Sequence, residues 1–93
     1  MEFKVIATDT FSKEFKKFKR DAEFIKNLDN KIKRLEKDPE NVGGYLSGKL
    51  HGFKSTRIIK KYRLVFKIIK ENYEVHLMGI DHRKFDYDRF NFD

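Results

Sequence analysis

The 93-residue chain is long enough for one domain with a single thin core, but too short for a second module or a deep enclosed pocket, so any chemistry is expected on an open surface. Its 22 Lys and Arg outnumber 15 Asp and Glu, and the formal charge of +7 makes nucleic acid the leading partner class. The competing reading of that charge is solvated helix faces in a Lys-rich sequence. The absence of cysteine excludes a disulfide framework and a thiolate metal site, which suits a reducing cytosol. With no long apolar run for a signal peptide or a membrane span, the expected location is cytoplasmic, with no membrane partner.

In chain order, Phe3, Val5 and Ala7 alternate with Lys4 and Ile6, which predicts a buried or central strand over Phe3–Ala7. Asp9 or Thr10 is the expected cap of a following helix, in which Phe11, Phe15 and Phe18 stack on one face while Lys13, Lys16, Lys17 and Lys19 cover the rest. A second helix is predicted from Ala22 to Lys37, with Ile25, Leu28, Ile32 and Leu35 as its apolar stripe and Pro39 beyond its end. The two form an α-helical hairpin. Gly43-Gly44 marks a loop between Pro39 and Gly48. Three strands, Phe53–Ile59, Tyr62–Ile69 and Tyr73–Ile80, joined by short connections at Lys60-Lys61 and 70–72, then predict an antiparallel meander. The N-terminal strand most simply inserts beside this meander. The result is a small single α+β domain over residues 1–93, with both helices on one face of one sheet. The tail from Asp81 to Asp93, with Phe85, Tyr87, Phe90 and Phe92 among its charges, is expected to fold back onto the body.

The sequence has no phosphate-cradling glycine motif, no Gly-x-Ser-x-Gly elbow and no paired ligands at metal spacing. His51, His76 and His82 are scattered singly, so chemistry without metal or cofactor is expected. What remains is a concentration of cations on the meander, Lys54, Arg57 and Arg63, contributed by two adjacent strands. Lys54 and Arg57 are three positions apart and point to opposite faces unless a bulge intervenes. Arg63 interrupts an apolar strand, where a guanidinium serves either as a structural anchor for a carboxylate or as a phosphate ligand.

The run from Leu50 to Ile58, followed by Tyr62-Arg63-Leu64-Val65-Phe66 and then His82-Arg83-Lys84-Phe85-Asp86-Tyr87, resembles the RelE/YoeB superfamily of toxins, and the likeness extends over most of the chain. The resemblance implies a RelE-like fold. It also implies an endoribonuclease that cuts messenger RNA in the ribosomal decoding site and is silenced by a cognate, RelB-like antitoxin. Such cleavage needs a base for the 2′-hydroxyl, cations for the pentavalent phosphorane and an acid for the leaving 5′-oxygen. By the resemblance, Arg63 contacts the scissile phosphate with Lys54 nearby, Arg83 lies near the leaving group, and Tyr87 stacks on a nucleobase or packs in the core. Arg57 matches a YoeB-like arginine or holds the tail through Asp86 or Asp88. The chain departs from the pattern at Thr56, where RelE has a second lysine, and at Gly44, where YoeB has its basic glutamate. Lys54, His82 and His51 are the candidate bases left, His51 having the alternative role of a turn residue before Gly52. Lys13, Lys16, Lys17, Lys31, Lys33 and Arg34 are expected to dock on ribosomal RNA. Two other functions stay open: a ParE-like inhibitor of DNA gyrase, and a degenerate toxin that only binds antitoxin or nucleic acid.

Overall fold

A computed structural model describes residues 2–48 and 51–82. Its elements are β1 (Lys4–Ala7), α1 (Asp9–Phe15), α2 (Ala22–Lys37), β2 (Gly44–Tyr45), β3 (Phe53–Ile59), β4 (Tyr62–Ile69) and β5 (Glu74–His82). They form a five-stranded sheet in the order β1-β5-β4-β3-β2. The antiparallel meander β3-β4-β5 is as expected, and β1 joins it parallel to β5, the helical hairpin supplying the crossover that parallel strands require. Beside the meander β1 takes an edge rather than a central place, pairing with β5 alone among the described strands. Its alternation marked a strand with apolar residues on both faces, and such residues are here only half-buried, at Val5 and Ile6.

Three local expectations shift by a residue or a turn, each for an identifiable contact. Thr8, rather than Asp9 or Thr10, caps α1, because its hydroxyl accepts from the Phe11 amide (3.3 Å) and donates to the Leu77 carbonyl on β5 (2.7 Å). The helix ends at Phe15, and a 3-10 turn over Lys16–Phe18 brings the Phe18 ring onto Phe24, with 4.0 Å between centroids. The last strand starts at Glu74, since Tyr73 is left-handed (φ 52°), and it runs on through Asp81 and His82, which pair with Arg63 and Tyr62. Beyond His82, the expected fold-back of the tail lies outside the described residues. Within the predicted loop after Pro39, Gly44 and Tyr45 form the short edge strand β2.

Helix α2 has the predicted span. Asp21 caps it through the Phe24 amide, and Phe24, Leu28 and Leu35 are buried while Ile25 and Ile32 are only half-buried. The stripe therefore centres nearer Phe24 than the sequence pattern suggested. The main core lies between the helices and one sheet face, where Phe11, Phe24, Leu28 and Leu35 meet Ile58, Leu64, Phe66, Val75, Leu77 and Ile80. A small cluster of Phe53 and Val65, with Leu46 and Met78 packed against it, occupies the opposite face. Alternation along β4 follows: Tyr62, Leu64, Phe66 and Ile68 pack on the helix side, and Arg63, Val65 and Lys67 point away.

Lys54 belongs to the helix side. It pairs with Phe66 and is 1% exposed. Its ammonium donates to the carbonyls of Glu40 (2.6 Å) and Pro39 (3.2 Å), and it lies 4.6 Å from the centroid of the Tyr45 ring. A buried cation must be partnered, and the turn that follows the C-terminal end of α2 provides the acceptors. The Glu40 carboxylate, held below its ordinary pKa by Lys70 (2.9 Å) and then by the Tyr45 hydroxyl (2.8 Å), extends the same network to the surface. Lys54 thus fastens the Pro39–Asn41 turn to the sheet. Lys54→Met keeps the apolar stem and strands two carbonyls, so urea unfolding should show a loss of about 2–4 kcal/mol at unchanged m-value. A loss below about 1 kcal/mol would show that the ammonium does not fasten the turn.

Candidate nucleic-acid interface

The β3–β4 hairpin brings Arg57, Lys60, Lys61 and Arg63 together. Regular pairing back from Ile59 and Tyr62 at the Lys60-Lys61 connection would set Ile58 opposite Arg63, but the register shifts between Arg57 and Ile59, which makes Arg57 and Arg63 direct cross-strand partners and falls outside the Lys54–Arg57 stretch. The shift therefore leaves the parity of Lys54 and Arg57 intact. They face opposite sides of the sheet, as their spacing implies. Arg57, Lys60, Lys61 and Arg63 line an open depression of about 390 Å³.

Two features of this corner oppose stability. Like charges directly across a ladder repel each other, and Lys60 adopts a left-handed backbone (φ 52°), which costs a side-chain-bearing residue roughly 1–2 kcal/mol. Asp81 is the next partner of Arg63 in the ladder and is 4% exposed, so one row across the sheet reads Arg57, Arg63, Asp81. The Arg63 Nε–H donates to the hydroxyl of Ser55 at 3.3 Å. Arg57 is exposed and Arg63 half-buried. The depression can accept an anion between two guanidinium groups and two ammonium groups, a fit for a phosphodiester backbone.

The structure brings together only part of the predicted set. Arg57 and Arg63 share the depression. The expectation that Lys54 lies near Arg63 is corrected: Lys54 is on the other face with its ammonium engaged, and Thr56 shares that face opposite Leu64. The β3 residues that share a face with Arg63 are Phe53, Ser55 and Arg57, one position out of phase with the lysine match at Lys54 and Thr56. His82 pairs with Tyr62 and meets its ring edge-on at 5.7 Å, on the side where Tyr62 packs against Phe18 and Phe24, away from Arg63. His51 is exposed in the turn that leads into β3. Arg83, Tyr87, Asp86 and Asp88 lie outside the described residues.

The helix cations form a separate surface. Lys13, Lys16, Lys17, Lys33 and Arg34 are exposed on the helical layer, across the sheet from Arg63. Lys31 is half-buried, and burial first and Arg34 second lower its ammonium pKa. Lys33 and Arg34 join Lys37, Asp38, Asn41 and Val42 around a second depression of about 310 Å³. Among the described residues, no group of three or more His, Asp or Glu is placed to hold a metal ion, and no helix is long and apolar enough to cross a membrane. Lys60, Lys61, Ser55 and Asp81 were missed as site residues. For Lys60 and Lys61 the signal is their place in the two-residue connection, whereas Ser55 and Arg57 reach the face of Arg63 only through the register shift, since regular pairing from Ile59 and Tyr62 would set Ile58 opposite Arg63.

Comparison with known proteins places this arrangement. No curated protein sequence matches the chain. Among solved structures, the toxin-antitoxin complex RelBE2 from Mycobacterium tuberculosis is similar at 26% identity and a TM-score of 0.69, over 89% of this chain and 100% of the other. The YoeB/ParE toxin from Agrobacterium tumefaciens shares the fold at 19% identity and a TM-score of 0.76, over 86% and 98% of the two chains. The archaeal RelE-RelB complex from Pyrococcus horikoshii does so at 14% identity and a TM-score of 0.69, over 92% and 100%. The family model for the ParE toxin of the type II toxin-antitoxin system, parDE, matches residues 5–87, and the chain accordingly belongs to that toxin family, within the RelE/ParE superfamily.

Proposed function

We propose that this toxin is a metal-independent endoribonuclease that cuts messenger RNA on the ribosome and is held inactive by a RelB-like antitoxin. The observation that carries the reading is the pairing of Arg57 with Arg63 beside Lys60 and Lys61 around one open depression. In the proposed step the 2′-hydroxyl gives up its proton to a base as its oxygen attacks phosphorus, the bond to the 5′-oxygen breaks as that oxygen takes up a proton, and the products end in a 2′,3′-cyclic phosphate and a 5′-hydroxyl. Negative charge accumulates on the equatorial oxygens at the moment of transfer. Preorganised guanidinium groups stabilise that charge more than they stabilise the ground state. Arg63, half-buried and tied through Nε, is the group assigned to the phosphorane, with Arg57 opposite it and Lys60 and Lys61 on the flanking phosphates. Arg83 and Tyr87 keep the roles implied by the RelE/YoeB resemblance, at the leaving oxygen and under a base. Lys54 is not part of this assignment, and the helix cations Lys13, Lys16, Lys17, Lys31, Lys33 and Arg34 are assigned to docking on ribosomal RNA. An antitoxin partner is supported by the RelBE2 and RelE-RelB neighbours, whose structures are toxin-antitoxin complexes.

The matching family model carries the ParE name, which specifies a second reading, inhibition of DNA gyrase. A cell-free extract separates the two: a ribosome-dependent nuclease stops translation, and a gyrase inhibitor leaves translation of a linear template running.

Two outcomes are expected. Arg63→Ala should slow cleavage by roughly a hundredfold or more while ribosome binding persists, as loss of one preorganised charge donor commonly does; full activity in the folded variant would remove Arg63 from the assignment. Lys60→Gly should match or exceed the wild type in thermal stability, since glycine adopts φ 52° without strain. The same variant should bind ribosomes more weakly, with the salt dependence of affinity reduced by about one phosphate contact. An unchanged salt slope would place Lys60 off the RNA path.

A further inference from the structure

We infer that Ser55 is a positioning residue for Arg63, fixing which edge of the guanidinium meets the scissile phosphate. The inference rests on the ribonuclease reading above and adds a residue to it. An arginine can present a phosphate with two kinds of edge: the side formed by Nε and one terminal nitrogen, or the end formed by the two terminal nitrogens. The Ser55 hydroxyl accepts from Nε at 3.3 Å, which occupies the side edge and leaves the end edge for substrate. Ser55 is 3% exposed, so water cannot readily take over that hydrogen bond.

Ser55 is in turn fixed from the sheet edge. It pairs with Gly44 on β2 and with Val65 on β4. The backbone of Gly43 lies so close that a Cβ there would fall 2.1 Å from the Ser55 carbonyl oxygen, and its φ of 66° favours glycine independently. The Gly43-Gly44 pair thus has a task beyond turning the chain: it lets β2 close on Ser55, and Ser55 holds Arg63. A guanidinium freed from Nε samples other rotamers and loses preorganisation, which lowers the rate of the chemical step without removing a phosphate contact.

The test is a double-mutant cycle on single-turnover cleavage of mRNA in programmed ribosomes, using Ser55→Ala, Ser55→Thr, Arg63→Ala and the Ser55→Ala/Arg63→Ala pair. Ser55→Ala should lower the maximal rate about tenfold with half-saturation within about twofold of wild type, as expected for one lost hydrogen bond to a charged group. Ser55→Thr, which keeps the hydroxyl, should recover most of that loss. In the Arg63→Ala background Ser55→Ala should change nothing further. An equal loss in both backgrounds, or a shift in half-saturation alone, would overturn the inference. A second readout does not depend on cleavage: exchange of the Arg63 Nε proton with solvent, followed by NMR, should be slower in wild type than in Ser55→Ala. If wild type leaves mRNA intact, the ribonuclease reading fails while slow exchange still supports the tie; equal exchange in the two proteins overturns the tie itself.

Discussion

The alternation of β3 and β4 is the constraint on which the rest of the molecule depends. Both strands are stitched into the middle of the sheet, so every second residue must be compatible with the helical layer. On β4 that requirement is met by Leu64, Phe66 and Ile68, and on β3 by Thr56, Ile58 and, unusually, Lys54. The residues between them are relieved of core packing. Arg57 and Arg63 are therefore free to be cations, and the same pairing that buries Leu64 sets the two guanidinium groups side by side. A shift of one residue in register would send the arginines into the helices and expose the core, so the site and the core are specified together.

Lys54 shows why a sequence motif and a site can disagree. Its type and neighbourhood fit a lysine close to a reacting phosphate, yet its parity sends it to the buried face, where an ammonium is tolerated because two carbonyls and an aromatic ring surround it. The three-residue spacing to Arg57 shows that the two face opposite sides, and the register shift after Arg57 decides which of them joins Arg63. The fold was legible for a similar reason, since periodicity reports directly which face is buried. It yielded the span of α2, the meander and the placement of both helices on one side. Less legible were features decided by contacts distant in sequence: the edge position of β1, the cap at Thr8, which depends on Leu77 some seventy residues away, and the buried Phe24.

The candidate site combines features that weaken a fold with features that suit an anion. Arg57 faces Arg63 across the ladder, and Lys60 holds a left-handed turn that glycine or asparagine would fill with less strain. An anion seated between the two guanidinium groups would offset that repulsion. Placing the helix cations on the opposite layer gives the domain two basic surfaces instead of one. Under the proposed ribonuclease reading, cations on both sides of the sheet suit a molecule wedged between two polyanionic walls.

Mapping the ends of mRNA after incubation of the purified toxin with programmed ribosomes tests the central claim most directly. The account predicts cut messages whose upstream fragments end in a 2′,3′-cyclic phosphate and whose downstream fragments begin with a 5′-hydroxyl. Messages that stay intact while the same protein blocks DNA supercoiling by gyrase would contradict it.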